Sequence, residues 1–222
     1  MKLSEHTVEV LKNFATINQN LVIKEGNTLT TMSAMKNIVA KAEVSESFER
    51  EVAIYDLNEF LASLSLFKSP VLEFDESFVI IKEENTTTSL KYFYSDPSVV
   101  TTPSKTIKMP SKEVTFSLKG EDLTKLKRAA GVIGAPDLVL ERKDTGSFLT
   151  VKDKKNDTAN TFSLDVTTTS EGNFNCFFTV ENLKVMDGNY DVEISSKNIS
   201  HLSSSNKDVE YWVALEPEST YE

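Results

Sequence analysis

The chain has 222 residues, 39% hydrophobic and 26% charged, with a formal net charge of −10. That balance excludes a disordered chain and argues against a protein that is basic overall and coats nucleic acid. The length suits one large domain or two of about 110 residues each. The longest apolar runs, "FVII" at 78–81 and "YWVAL" at 211–215, are strand-sized and far short of the roughly 18 residues of a membrane span. The opening "MKLSEHTVEV" turns polar at once and shows no secretory signal. Cys176 is alone, which excludes an internal disulfide and fits a reducing compartment. The expectation is a soluble intracellular protein with no membrane partner.

In chain order, Ser4 caps a segment whose Val8, Leu11, Phe14 and Ala15 share a helical face. "LVIKEGNTLTTM" (21–32) predicts a hairpin turning at Glu25-Gly26-Asn27, and "NIVAKAEV" (37–44) a further strand. Asp56 opens a second helix, in which Leu57, Phe60, Leu61, Leu64 and Phe67 follow the i, i+3, i+4, i+7 spacing. "VLEFDESFVIIKE" (71–83) and "TSLKYFY" (88–94) alternate like strands. "SDPSVVTTPSKTIKMPSKE" then carries Pro97, Pro103 and Pro110. A proline supplies no ladder donor, so this stretch reads as an extended crossing between two domains.

Beyond it, "VTFSL", "DLVLERKDTGSFLTVK" and "NTFSLDV" within 114–166 predict strands, as do "NFNCFFTV", "NYDVEIS" and "VEYWVAL". Glu121 and Asp122 open a third helix with the stripe Leu123, Leu126, Ala130 and Ile133. Glu181 opens a weaker helical segment, "ENLKVM", ended by Asp187-Gly188. The four helix starts fall near residues 4, 56, 121 and 181, a spacing that suggests four related units of one helix plus several strands. Such units cannot cover their sheets alone and must pack with their helices on one side.

The outward helix faces carry the candidate chemistry. At about 100° per residue, Arg128 lies nearly opposite the apolar stripe of the third helix, flanked by Thr124 and Lys125, with Lys127 nearer the apolar edge. On the first helix His6, Glu9 and Asn13 face outward, with Lys12 to one side. On the second, Asn58, Glu59 and Ala62 do so, and the fourth segment offers Lys184. A few exposed lysines are ordinarily just solvated. Gathered on one surface of an acidic body, they make a positive stripe that could face a polyanion.

Catalytic constellations are missing from the pattern. The seven glycines are scattered, and no phosphate-binding loop is formed. His6 and His201 are too few and too far apart to suggest a metal or acid–base pair. Cys176, in the apolar strand "FNCFFTV", reads as a buried inert thiol. "DKKND" (153–157) reads as a turn, and the acids within 71–76 as a strand's solvent face. The expectation is a non-enzyme with no cofactor and no metal. An enzyme using the acids of 71–76 would need a carboxylate-lined cleft.

Four stretches carry a resemblance: "LKNFATIN" (11–18), "VAIYDLNEFL" (52–61), "NFNCFF" with "DGNY" (173–178 and 187–190), and "YWVALEPEST" (211–220). Together they resemble the DNA polymerase sliding clamp of T4-type bacteriophages, in the same order and over nearly the whole length. The resemblance implies an α+β DNA-clamp fold: two similar domains, each with two inner helices packed on outer antiparallel sheets, assembling into a ring. It places an N-terminal clamp domain at 1–95, a connector at 96–111 and a C-terminal clamp domain at 112–222. It implies a homotrimer that encircles duplex DNA without regard to sequence, is loaded by an ATP-driven clamp loader and tethers the replicative DNA polymerase. It also implies late-transcription factors as partners and the cytoplasm of the infected bacterial host as location.

Carried onto this chain, the resemblance implies DNA-facing positions at Lys12, Lys119, Lys125, Lys127, Arg128 and Lys184. It places the meeting edge strands near Lys91–Tyr94 and Thr161–Leu164, with Tyr92 and Phe162 as apolar anchors, and a partner-peptide pocket at Val99, Ile107, Met109, Val213 and Leu215. The chain departs from the family where Glu5 and Glu9 occupy a first-helix turn that tends to be basic. It departs again where "AAGVIGAP" follows Arg128 without a second arginine, and in its final "TYE". The alternative from the residues alone is an acidic β-rich interaction or structural protein that never encloses DNA.

Overall fold

The computed structural model describes residues 1–103, 107–170 and 172–221. Residues 104–106 of the expected connector and Glu222 of the expected tail lie outside the described residues. The chain divides into two compact units, Met1–Lys105 and Thr106–Glu222. No described helix is long and apolar enough to cross a membrane.

The first unit opens with α1 (Glu5–Ile17), β1 (Leu21–Ile23), β2 (Gly26–Met32), β3 (Ile38–Phe48) and β4 (Val52–Ile54). It continues with α2 (Leu57–Ser65), β5 (Pro70–Phe74), β6 (Phe78–Glu83), β7 (Ser89–Phe93) and a 3₁₀ turn at Pro97–Val99. All its strand pairs are antiparallel: β1 with β4, β2 with β3, and the ladder β5-β6-β7. The expected 21–32 hairpin does not form. Leu21, Val22 and Ile23 are all buried, and this continuous apolar run pairs with the equally buried Val52–Ile54 instead. Gly26, at φ 104°, begins β2 as a separate strand, which pairs with β3. Val100, expected within the crossing, is buried with Val22 and Ala53.

Both helices of this unit start where their caps predict. The Ser4 hydroxyl accepts the Thr7 amide at 3.2 Å, and the Asp56 carboxylate accepts the amides of Asn58 and Glu59 at 2.9 and 3.1 Å. The buried face of α1 comprises Thr7, Val10, Leu11, Phe14 and Ile17, whereas Val8 is only half-buried. The stripe is rotated from the expected one because Thr7 is drawn inward by a buried acid. The Glu46 side chain, on β3, accepts hydrogen bonds from the Thr7 hydroxyl and the Ser4 amide. It thereby sits against the helix's positive end.

The second unit contains β8 (Val114–Leu118), α3 (Gly120–Ile133), β9 (Asp137–Lys143), β10 (Gly146–Lys152), β11 (Phe162–Val166) and β12 (Phe174–Thr179). A 3₁₀ turn at Val180–Asn182 precedes β13 (Tyr190–Ser195), β14 (Ile199–Ser204), β15 (Val209–Ala214) and β16 (Thr220–Tyr221). One sheet runs β11-β10-β9-β12-β16, and four further strands lie side by side as β8-β13-β14-β15. Residues 216–221 are strapped to β12. Glu216 donates its amide to the Phe177 carbonyl at 2.8 Å, and Phe177 donates to the Ser219 hydroxyl at 3.0 Å. Lys154, in the expected 153–157 turn, joins this strap through ion pairs to Glu218 at 2.5 Å and Asp137 at 3.5 Å.

The fourth helix is absent: after Val180–Asn182 the segment runs irregularly to β13. Leu183, Val185 and Met186 are all buried within it. Side chains satisfy the backbone here instead of i→i−4 bonds. Tyr190 donates to the Met186 carbonyl at 2.6 Å, the Met186 amide donates to the Tyr211 hydroxyl at 3.2 Å, and Lys127 donates to the Val185 carbonyl at 3.1 Å. The second unit therefore has one α-helix among its described residues, not two.

Burial works against ionisation of Glu46, but the hydrogen bonds from Thr7 and Ser4 outweigh it and hold the carboxyl below its ordinary range. A depressed folded-state value adds stability that is fully present above the unfolded pKa of about 4.3 and is lost as pH falls through the folded value. Urea midpoints of the wild type should therefore fall more steeply than those of Glu46→Gln between about pH 5 and pH 3. Parallel pH profiles for the two proteins would remove Glu46 from this role.

Candidate nucleic-acid interface

Helix α3 exposes two cations, Lys125 and Arg128, more than α1 or α2, and its seating is built by the loop that precedes β13. Gly120 donates its amide to the Asn189 side-chain oxygen at 2.8 Å, which replaces a side-chain cap from Lys119. A Cβ at Gly120 would lie 2.9 Å from the Gly188 carbonyl oxygen, so this close backbone approach requires glycine. Leu123, Leu126 and Ala130 bury the inner face. Gly134, at φ 67°, ends the helix in the left-handed conformation.

Lys119, Lys125 and Arg128 are exposed on this framework. Lys125 pairs within the helix with Asp122 at 3.5 Å and Glu121 at 3.9 Å. Arg128 has no ion pair among the described residues. Lys127 differs from its neighbours: it is half-buried and spends its ammonium on the Val185 carbonyl. Burial lowers its pKa, partly offset by the nearby Asp187 carboxylate. Its position near the apolar edge was the signal for this internal role. Lys184 is exposed in the irregular segment, not on a helix.

In the first unit Lys12 is exposed on α1 and borders a groove of about 590 Å³ floored by Val8, Leu61 and Leu64. Lys2 and Lys68 line the same groove, and Lys2 pairs with Glu84 at 3.1 Å. Lys68 escaped the sequence reasoning because it lies beyond the end of α2, outside any periodic face.

The expected edge positions fall on sheet margins. Strand β7 ends the β5-β6-β7 ladder and β11 ends the five-stranded sheet. Tyr92 and Phe162 are half-buried. Tyr92 is also tied inward, its hydroxyl donating to the Asp56 carbonyl at 3.2 Å and its ring meeting Phe60 edge-on at 5.3 Å. Its neighbour Phe93 is 64% exposed and packs on Phe78 at 5.8 Å.

The expected pocket residues are not alike. Val99 is exposed in the 3₁₀ turn of the first unit, and Ile107 and Met109 are half-buried. Val213 and Leu215 are core: Val213 has no exposed surface, because β15 is covered on both faces at Tyr211–Val213. Neither offers a surface to a peptide in this structure.

Elsewhere the chemistry is structural. Burial pushes the Cys176 thiol up to about 12, which leaves it un-ionised at neutral pH. His201 stacks on Trp212 at 4.9 Å, with its ring nitrogens 2.9 Å from Glu210 and 3.5 Å from Glu193. Glu73 of the 71–76 stretch is exposed and pairs with Lys82 at 2.6 Å. No metal-holding cluster occurs among the described residues.

Comparison with known proteins covers nearly the whole chain. The family model described as DNA polymerase processivity factor matches residues 2–102, and that described as gp45 sliding clamp, C terminal, matches residues 115–217. A sliding clamp of Vibrio phage KVP40 is 34% identical, spanning 97% of this chain and 99% of its own. Sliding clamps of Escherichia phage RB69 and Enterobacteria phage T4 are each 31% identical over 100% of both chains. Among solved structures, A. fulgidus PCNA bound to the C-terminal region of FEN-1 aligns with a TM-score of 0.69 at 15% identity, covering 96% of each chain. PCNA from Entamoeba histolytica gives 0.66 at 14%, covering 95% of each. These structural likenesses establish the fold.

The two adjacent cations of α3 should separate in a stability experiment. Lys127→Met leaves the Val185 carbonyl unsatisfied and should cost about 1–3 kcal/mol in urea unfolding. Arg128→Met should stay within about 0.5 kcal/mol of wild type. Equal effects would contradict the internal role of Lys127.

Proposed function

This chain belongs to the sliding-clamp family of DNA polymerase processivity factors, and from that premise we propose that it encircles duplex DNA as a closed ring and tethers the replicative polymerase. The observation that carries the reading is the cationic surface at α3: exposed Lys125 and Arg128 on the helix and Lys119 just before it, on a chain of net charge −10. An acidic body repels DNA, so a cationic helix face on it marks where a duplex is admitted. Family membership sets aside the alternative of an acidic structural protein unconnected with replication.

Ring closure falls to the two sheet margins, β7 of one chain meeting β11 of the next. An edge strand presents unpaired backbone donors and acceptors, and a neighbouring chain's edge satisfies them. Phe93 and Phe162 supply apolar surface at these margins. A head-to-tail contact of this kind closes a ring when its rotation allows, and we assign three chains to it. A closed ring needs an ATP-driven loader to open it around DNA, in the cytoplasm of the infected host. Late-transcription factors are further candidates for its outer surface.

Tethering raises the polymerase's effective concentration at the primer terminus without any new contact to DNA. On a long primed circle, the chain plus loader should lengthen the replicative polymerase's products about tenfold or more per binding event. Phe162→Glu, placed at the margin of β11, should reduce the three-chain mass in light scattering to that of one chain and abolish the gain. Undiminished product length from a strictly single-chain species would overturn the ring.

A further inference from the structure

The two sheet margins β7 and β11 match each other in length and pattern and oppose each other in charge. Strand β7 reads "SLKYF" and β11 reads "FSLDV", five residues each. Residues two apart share a face of a strand. On β7 that alternation exposes Ser89, Lys91 and Phe93, and on β11 it exposes Ser163 and Asp165. Each strand therefore holds a single charged residue, on its exposed face and of opposite sign to the other's. Neither Lys91 nor Asp165 has an ion pair among the described residues. The Lys91 ammonium lies over ring faces, 3.6 Å from the Phe78 centroid and 5.1 Å from that of Phe93. Asp165 borders a groove of about 650 Å³ within the second unit, which Asp122, Asp191 and Glu193 also line, together with Lys119.

We propose that Lys91 of one chain pairs with Asp165 of the next, and that this pair selects the β7–β11 joint over the pairing of either margin with its own copy. The inference rests on the ring reading and adds to it what fixes the register of each joint. Charged residues on an edge strand ordinarily discourage any pairing. Here the discouragement is selective. Lys91 is the middle residue of β7, so two copies of β7 in full antiparallel overlap would set lysine directly against lysine. Two copies of β11 would set their Asp165 carboxylates on neighbouring diagonal positions. Only the mixed joint brings opposite charges together. Antiparallel, as in the ladders of both parent sheets, it places Lys91 opposite Asp165, Leu90 opposite Val166 and Tyr92 opposite Leu164. Like margins would make closed two-chain contacts, whereas the mixed joint is head-to-tail and continues until it closes on itself.

Assembly mass by light scattering, followed over a range of protein concentrations, tests this. Lys91→Asp or Asp165→Lys alone makes every joint like-charged. Each should raise the concentration needed for half-assembly about threefold or more at about 0.1 M salt. The difference should shrink at about 1 M, where the Debye length falls from about 10 Å to about 3 Å. Lys91→Gln and Asp165→Asn, which remove charge without reversing it, should weaken assembly less than the reversals. Lys91→Asp with Asp165→Lys in one chain restores opposite signs and should recover assembly to within about twofold of wild type. A merely structural role would give no such recovery, and urea midpoints establish that every variant is folded. Single reversals that assemble at wild-type concentrations overturn the pair, as does a double reversal no better than the singles. A wild type that stays single-chain at every concentration removes the ring itself, and the pair with it.

Discussion

The constraint on which the rest depends is electrostatic: a strongly acidic chain must keep company with a polyanion. The cations exposed on α3 are few, and one of these, Lys125, is shared with Glu121 and Asp122. Proteins making several phosphate contacts still reach only about 10⁻⁴–10⁻⁶ M in sequence-independent binding at physiological salt. A surface this modest cannot hold DNA through many rounds of nucleotide addition. It can guide a duplex that something else confines. Weak, sequence-blind contacts then become an advantage, because a tight grip would oppose sliding.

That division of labour shows in how α3 is mounted. The helix is held by Asn189 at its first amide, the Gly120–Gly188 backbone approach, the buried Leu123, Leu126 and Ala130 stripe, and half-buried Lys127 on the Val185 carbonyl. The exposed face is thereby freed from packing duty. In the first unit the corresponding device is Glu46, which sits under the start of α1 and draws Thr7 inward. A buried carboxylate at a helix N-terminus fixes where the helix begins and which face it turns to the sheet.

Much of this was legible in the sequence, because caps and helical periodicity are local signals. Ser4 and Asp56 mark the starts of α1 and α2, and the stripe of Leu123, Leu126 and Ala130 marks α3. What escaped depends on partners distant in the chain. Leu21–Ile23 looked like one arm of a hairpin because Gly26 follows it, yet its partner is Val52–Ile54. "ENLKVM" looked helical, but Tyr190, Tyr211 and Lys127 satisfy its backbone instead. Val213 and Leu215 looked like pocket residues; the burial of Val213 follows from packing on both faces of β15, which alternation along one strand does not reveal, and Leu215 is buried just beyond the strand. The family resemblance supplied the architecture. It did not supply the internal role of Lys127 or the rotated face of α1.

Confinement by closure has one direct consequence: the topology of the DNA, not its charge or sequence, must set how long the protein stays. The measurement is the fraction retained after loading on closed circular DNA and on the same DNA linearised by a single cut, at moderate salt and without ATP. Closure predicts prolonged retention on the circle and rapid loss from the free ends of the linear form. Equal rates of loss from the two would show that the protein holds DNA by surface contact alone.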